Sequence, residues 1–170
     1  MSEKAVCFSF YLVYASSKLS GYRGMKEPFY SSGLRFQCQR CSRCCRFEPG
    51  YVFLSQVDLE RLARTTRCTT EQFINTYCRT IEINGFKRLS LKEKANYDCI
   101  FWENGDCIVY EQRPLQCKSY PFWSPHITSE EAWNALGQSC PGVNKGPYYS
   151  KEQIDYWLWL RTQEPFVVVS

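Results

Sequence analysis

A small α+β domain organised around sulfur-bound metal is the fold class this chain predicts, on three observations. Four cysteines fall within eight residues, Cys38, Cys41, Cys44 and Cys45, in the pattern C-x2-C-x2-C-C. Eleven cysteines stand against a single histidine, His126. Capped amphipathic helices and short apolar strands are mixed along the chain, which is the pattern of an α+β domain. Two residues between cysteines let the backbone curl so that the sulfurs face one centre. A hydrophobic core needs no such spacing, because a buried thiol acts as a small hydrophobe anywhere on an apolar face.

Composition narrows the class. A chain of 170 residues suits one domain with a real core. Its 12 Tyr, 11 Phe and 5 Trp supply bulk that keeps water from a buried site. The net charge of +4, from 21 basic and 17 acidic residues, is too mild to imply nucleic acid without clustering. An odd cysteine count leaves one thiol outside any complete pairing, and the cysteine density is below that of small disulfide scaffolds. The expectation is a reduced, cytoplasmic protein. A lone histidine argues against Cys2His2 fingers and three-histidine zinc, so thiolate must carry nearly all coordination. No apolar run approaches a membrane span. The nearest, residues 5–15, follows Glu3 and contains Ser9, and reads as an N-terminal strand or disordered extension, not a signal peptide. Met25 offers a second start. Residues 1–33 are taken as an extension and 34–170 as the metal-binding domain.

Local signals place the elements. Glu48-Pro49-Gly50 closes the cysteine loop as a turn. Tyr51 to Leu54 is a short apolar strand. Ser55 caps a helix with Asp58 three residues on, and Leu59, Leu62 and Ala63 share its buried face. Thr69 and Gln72 box a second helix, whose stripe is Phe73, Ile74, Tyr77 and Ile81. Cys68 and Cys78 fall in this helical region as core thiols. Phe86 to Lys94 is a weaker strand. Asn104-Gly105, between Ile100-Phe101-Trp102 and Ile108-Val109-Tyr110, is a hairpin turn that draws Cys99 and Cys107 together across two strands. Pro114 opens a short helix bearing Cys117, and Pro121 ends it. Ser129 caps a helix that Gly137 stops before Cys140. Ser150 and Gln153 box the last helix, with Ile154, Trp157, Leu158 and Leu160 inward.

Eight cysteines are candidate metal ligands: Cys38, Cys41, Cys44, Cys45, Cys99, Cys107, Cys117 and Cys140. The downstream four lack a second tight C-x2-C, which excludes an ordinary zinc ribbon. Cys38, Cys41 and Cys44 have the repeat that supplies three corners of a cubane in bacterial ferredoxins, where a remote Cys-Pro supplies another ligand; Cys140-Pro141 matches that dipeptide. Adjacent side chains diverge, so Cys44 and Cys45 are not expected to share an ion. Eight candidates permit two centres, or one centre plus structural thiols. Arg40, Arg43 and Arg46 alternate with the cysteines and Lys118 follows Cys117. They either offset the negative charge of a thiolate centre or form a solvated basic face.

These residues resemble the YkgJ-type cysteine-cluster family, described as a zinc- or iron-chelating domain. The resemblance runs from about residue 35 to 146. It covers the C-x2-C-x2-C-C run, the hairpin from Cys99 to Tyr110, Arg113-Pro114-Leu115-Gln116-Cys117 and Cys140-Pro141-Gly142. Lys118 departs from the arginine common there. The resemblance implies metal binding by the eight cysteines. Flagellin lysine-N-methylases share the cluster, which implies one enzymatic reading, an iron–sulfur protein using S-adenosylmethionine.

Three functions follow. The first is a cytoplasmic protein holding one or two thiolate centres, a 4Fe-4S iron–sulfur cluster in preference to zinc, with a protein partner. The second is a protein-modifying enzyme such as the lysine N-methylase. The third is a structural zinc module used for binding. No membrane or nucleic-acid partner is expected. Tyr110, Glu111, Arg113, Trp123 and His126 lie near the cluster segments. Each has a structural explanation: Glu111 with Arg113 as charge positioning, Tyr110 and Trp123 as core, His126 as a loop residue. No nucleophile–base pair stands out.

Overall fold

The computed structural model describes residues 27–169; the expected N-terminal strand over 5–15, the second start at Met25 and Cys7 lie outside them. The described residues form a mixed α+β domain with five α-helices and small antiparallel sheets. No described helix is long and apolar enough to cross a membrane.

One core is built by helices α1 (Gln56–Thr65) and α2 (Thr70–Tyr77) against strands β2 (Cys78–Ile83) and β3 (Phe86–Leu91). Both helices start where the caps predict. The Ser55 hydroxyl accepts from the Asp58 N–H, and Thr69 accepts from Gln72, each returned by the partner side chain. Such reciprocal caps satisfy backbone donors that a helix start leaves free. Leu54, Leu62 and Phe73 are wholly buried between these layers.

The second helix stops at Tyr77, and Ile81 lies in β2, not on a helical stripe. The reason is Asn84-Gly85, where both residues take positive φ, 51° and 77°. That turn folds Cys78–Ile83 onto Phe86–Leu91 in an unbroken antiparallel register from Cys78↔Leu91 to Ile83↔Phe86. Cys78 therefore opens a strand; it is buried, as a core thiol should be, while Cys68 packs partly buried beside it. Tyr51 to Leu54 pairs by single bridges instead of forming a regular strand, with Leu54 bonded on both sides, to Leu89 and Val167. Strand β7 (Val168–Val169) extends the β2–β3 sheet.

A second, aromatic core lies under helices α4 (Glu130–Ser139) and α5 (Lys151–Gln163). Helix α4 runs through Gly137 to Ser139, beyond the expected stop. Gly137 has ordinary helical space, with only Val143 near its Cα, so it weakens the helix without ending it. Strands β1 (Leu34–Phe36) and β6 (Val143–Tyr149) pair antiparallel with a register shift between Arg35 and Phe36. Tyr30, in a 3-10 turn over Phe29–Ser32, is buried in this core and its hydroxyl donates to Asp155 at 3.1 Å. Cys99 and Cys107 pack against the first core, and Cys140 belongs to the second.

Candidate metal centre

The loop carrying the first four cysteines is curled by left-handed residues. Arg40 and Ser42 take φ of 48° and 61°, and Arg43–Cys45 closes as a 3-10 turn. Its entry is held where Gln37 N–H donates to Gly142 O at 3.1 Å. Glycine at 142 permits that approach, since a Cβ there would strike the Gln37 carbonyl and the Phe36 ring. The exit is held by Cys99 N–H donating to Cys45 O at 2.7 Å. Beside that bond, Arg46 Nε reaches Asp98 Oδ1 at 2.8 Å, and the guanidinium lies 3.5 Å from the Trp102 ring centre. Arg46 thus ties two cysteine segments together instead of facing the sulfurs. It holds the buried Asp98 carboxyl below the ordinary carboxylate range, with help from Asn96.

The downstream cysteines arrive on separate elements. Cys107 sits in β5 (Asp106–Cys107), whose hairpin partner is β4 (Trp102–Glu103). Its cross-strand neighbour is Trp102; Cys99 lies before the hairpin, bridged to Glu93. Helix α3 (Leu115–Ser119) carries Cys117. The wholly buried Asp58 carboxylate fixes that helix start: Oδ1 accepts from the Leu115 N–H at 2.9 Å and from Arg61, while Oδ2 accepts from Ser55 at 3.1 Å. Arg61 in turn donates to the carbonyls of Gln112 and Arg113, both at 3.2 Å.

Six of the eight candidate cysteines line one cavity of about 270 Å³: Cys38, Cys44, Cys45, Cys99, Cys107 and Cys117. Burial, with smaller contributions from Cys107 and Cys44, pushes the Cys99 thiol up to about 11. Burial raises Cys107, with Cys44 adding to it, and raises Cys117 well above the ordinary thiol range, with Cys99, Cys44 and Cys107 adding. Cys44 stands at the mouth, open to solvent on one side and crowded on the other; a hydrogen bond with Cys45 and then burial drive its thiol far up. Burial is the main reason Cys99, Cys107 and Cys117 resist ionising, and only Cys117 feels all three of the others. A cation bound among them would reverse that balance.

Cys41 and Cys140 do not line this cavity; Cys140 hydrogen-bonds with the Tyr120 hydroxyl in its wall. Burial, then a hydrogen bond to Cys140 and the charge of Cys140, Cys44 and Cys41, all disfavour the phenolate. Cys140 is buried and Cys41 exposed. Contrary to the expectation of divergence, the sulfurs of Cys44 and Cys45 are 3.6 Å apart. The tight 3-10 turn and the freedom of the side-chain torsion outweigh the divergence of the Cα–Cβ bonds. All ten described cysteines are free thiols.

The donor chemistry fits a thiophilic metal: soft sulfur, no carboxylate or imidazole among the four. Among the described residues, no three Cys, His, Asp or Glu side chains are drawn close enough to hold a single ion. A tetrahedral zinc site has sulfurs about 3.8 Å apart, from Zn–S bonds of about 2.3 Å. The Cys44–Cys45 spacing of 3.6 Å is of that order. A buried indole N–H also fits: Trp102 Nε1, in the cavity wall beside Cys107, has no acceptor among the described residues.

The non-cysteine candidates fall on both sides of expectation. Arg113 pairs with the Tyr110 carbonyl at 2.7 Å, not with Glu111, and its guanidinium lies 3.8 Å from the Tyr110 ring centre. Trp123 donates to Gln116 O at 2.9 Å. His126 stacks on Trp123 with ring centres 5.0 Å apart, and its Nδ1 lies 3.1 Å from the Pro121 carbonyl. Sequence reasoning missed Asp58 and Arg61 as supports of the Cys117 helix. The S-x-x-D cap flagged Asp58, but nothing local shows that one carboxylate serves two helix starts.

No solved structure gives a significant match to this chain. The family model CxxCxxCC, described as "Putative zinc- or iron-chelating domain", matches residues 37–141, from the start of the thiol loop to Cys140-Pro141. Those bounds enclose every cysteine of the cavity, and the chain belongs to this family of zinc- or iron-chelating domains.

Proposed function

We propose that this chain holds a thiolate centre with Cys44, Cys99, Cys107 and Cys117 as its ligands, and that the centre is an iron–sulfur cluster in preference to zinc. The observation that carries the reading is the convergence of those four thiols, brought from four separate segments, on one aromatic-walled cavity, where the buried Cys117 feels the charge of the other three. A cluster spreads its thiolates over several irons, so it suits sulfurs set wider than one ion can gather. The indole N–H of Trp102 would serve a cluster sulfur as donor. Cys38, Cys41, Cys45 and Cys140 are the candidates for a second centre near Tyr120. When bound, a cluster supplies one-electron transfer. The chain's own residues curl the thiol loop, hold α3 in place and keep water back with Phe101, Tyr120 and Trp157. The setting is a reducing cytoplasm, and the partner is another protein.

Anaerobic purification followed by visible absorption and iron, zinc and acid-labile sulfide analysis tests this. A brown protein with iron and sulfide supports the cluster. A colourless one with stoichiometric zinc overturns the cluster and keeps the metal. Alanine at Cys44, Cys99, Cys107 or Cys117 should abolish the chromophore, whereas alanine at Cys68 should leave it.

An enzymatic reading draws on a second cavity, of about 340 Å³, which shares Cys44, Cys45 and Cys99 with the first. His126 lines it. The Pro121 carbonyl can only accept, so Nδ1 carries the proton; burial lowers the imidazole pKa and leaves Nε2 its lone pair. A substrate there would meet both a base and the centre. Binding of S-adenosylmethionine by the loaded protein, lost in His126→Ala, supports this reading; no binding removes it.

A further inference from the structure

The arginines interleaved with the cysteines are the obvious cations to neutralise a thiolate centre, yet each is engaged by another group, Arg40 even within the cavity wall. Arg46 is bound to Asp98 at 2.8 Å and Arg40 to Asp106 at 2.9 Å on the exposed side. Arg43 reaches only the Ser139 carbonyl, at 3.5 Å. Arg113 differs. It lines the thiol cavity and forms none of the ion pairs found among the described residues. Its backbone carbonyl is gripped by Arg61, its Nη1 by the Tyr110 carbonyl, and its guanidinium rests on the Tyr110 ring. A guanidinium held by neutral partners keeps its full charge for what it faces. Arg113 faces the cavity that Cys44, Cys107 and Cys117 also line.

We propose that Arg113 is the counter-charge of the thiolate centre and sets how readily the centre accepts further negative charge. The inference rests on the metal-centre reading above. Four thiolates around an oxidised cubane leave a net charge of about −2, and one-electron reduction deepens it. A fixed cation therefore favours the reduced state more than the oxidised one.

The test is a mediated dithionite titration of the loaded protein, comparing wild type, Arg113→Gln, Arg113→Lys and Arg43→Gln. Arg113→Gln should disfavour the reduced state at least tenfold, which is 59 mV more negative for one electron. Arg113→Lys should stay within threefold of wild type, and Arg43→Gln should not move. An assembled Arg113→Gln with an unmoved midpoint overturns the proposal, as does an equal shift in Arg43→Gln. Should Arg113→Gln fail to assemble, an assembled Arg113→Lys with a wild-type midpoint supports the proposal; failure of both variants overturns the role of charge. If the wild type carries zinc, the same variants are compared by chelator competition. Tenfold weaker zinc in Arg113→Gln supports the proposal and equal affinity overturns it. A wild type with no metal removes the metal-centre reading and this inference with it.

Discussion

The two halves of the molecule are stabilised by different means. The half built from α1, α2, β2 and β3 closes on itself: reciprocal caps start its helices, an Asn-Gly turn sets its strand register, and Leu54, Leu62 and Phe73 fill its interior. The half that carries the cysteines has a thiol loop whose first three cysteines are exposed, a hairpin of two-residue strands, and left-handed backbone at Arg40, Ser42 and Phe47. Short strands and strained loops recover little burial for the entropy lost in ordering them. The first half is organised by apolar packing. The second has its own aromatic core, and on the proposed function its cysteine segments are held by the metal they gather.

Metal removal should separate the halves most sharply. Chelation, or alanine at Cys99 or Cys117, should lower the melting temperature by more than about 10 °C, since structural metal binding reaches about 10 kcal/mol or more. Proteolysis and hydrogen exchange should then open residues 37–48 and 99–120 first, with 55–91 still protected. Simultaneous loss of both regions would make the comparison false. Next in size, Asp58→Ala should cost about 3–5 kcal/mol, because it strands Arg61 and the amides of Ser55 and Leu115. It should also weaken metal retention. Leu62→Ala should cost a similar ~2–5 kcal/mol and leave the metal spectrum of the folded protein unchanged. Denaturant melts read alongside visible spectra distinguish these outcomes.

The thiols sharpen the contrast further. Burial pushes Cys78 up to about 12, slightly offset by Lys92, so at neutral pH its thiolate is about a thousandfold rarer than for a free cysteine. It should resist iodoacetamide under conditions that alkylate the metal-free loop at Cys38 and Cys41. A raised folded pKa contributes stability that is present below the unfolded thiol pKa and drains away as pH rises through 12. Denaturation midpoints from pH 8 to 10.5 should therefore fall more steeply in wild type than in Cys78→Ala. The smallest effects belong to the turns. Gly85 and Gly105 have φ of 77° and 91° with open space around them, so alanine should cost about 1 kcal/mol at each. Only Gly105→Ala should also alter the metal spectrum, through the Cys107 hairpin.

The same division explains which parts of the fold could be read in advance. Ser55 with Asp58, Thr69 with Gln72 and Ser150 with Gln153 mark helix starts because a cap is a contact between residues three apart. Asn104-Gly105 marks a turn for the same local reason. Ile81 went to the wrong element because its apolar spacing also fits a helix, and the Asn84-Gly85 turn that settles the matter lies just beyond it. The pairing of β1 with β6 joins Leu34 to Tyr149, a contact no short window contains.

By itself, the amino-acid sequence determined that sulfur dominates the donor set and that eight cysteines stand in metal-ligand contexts, because residue type and spacing are local and carry that chemistry directly. The partition of those sulfurs was decided only in three dimensions. Cys38, Cys44, Cys45, Cys99, Cys107 and Cys117 line one cavity, while Cys41 and Cys140 do not. Asp58 anchors α3, and Gly142 and Cys99 anchor the loop, through contacts between segments far apart in the chain.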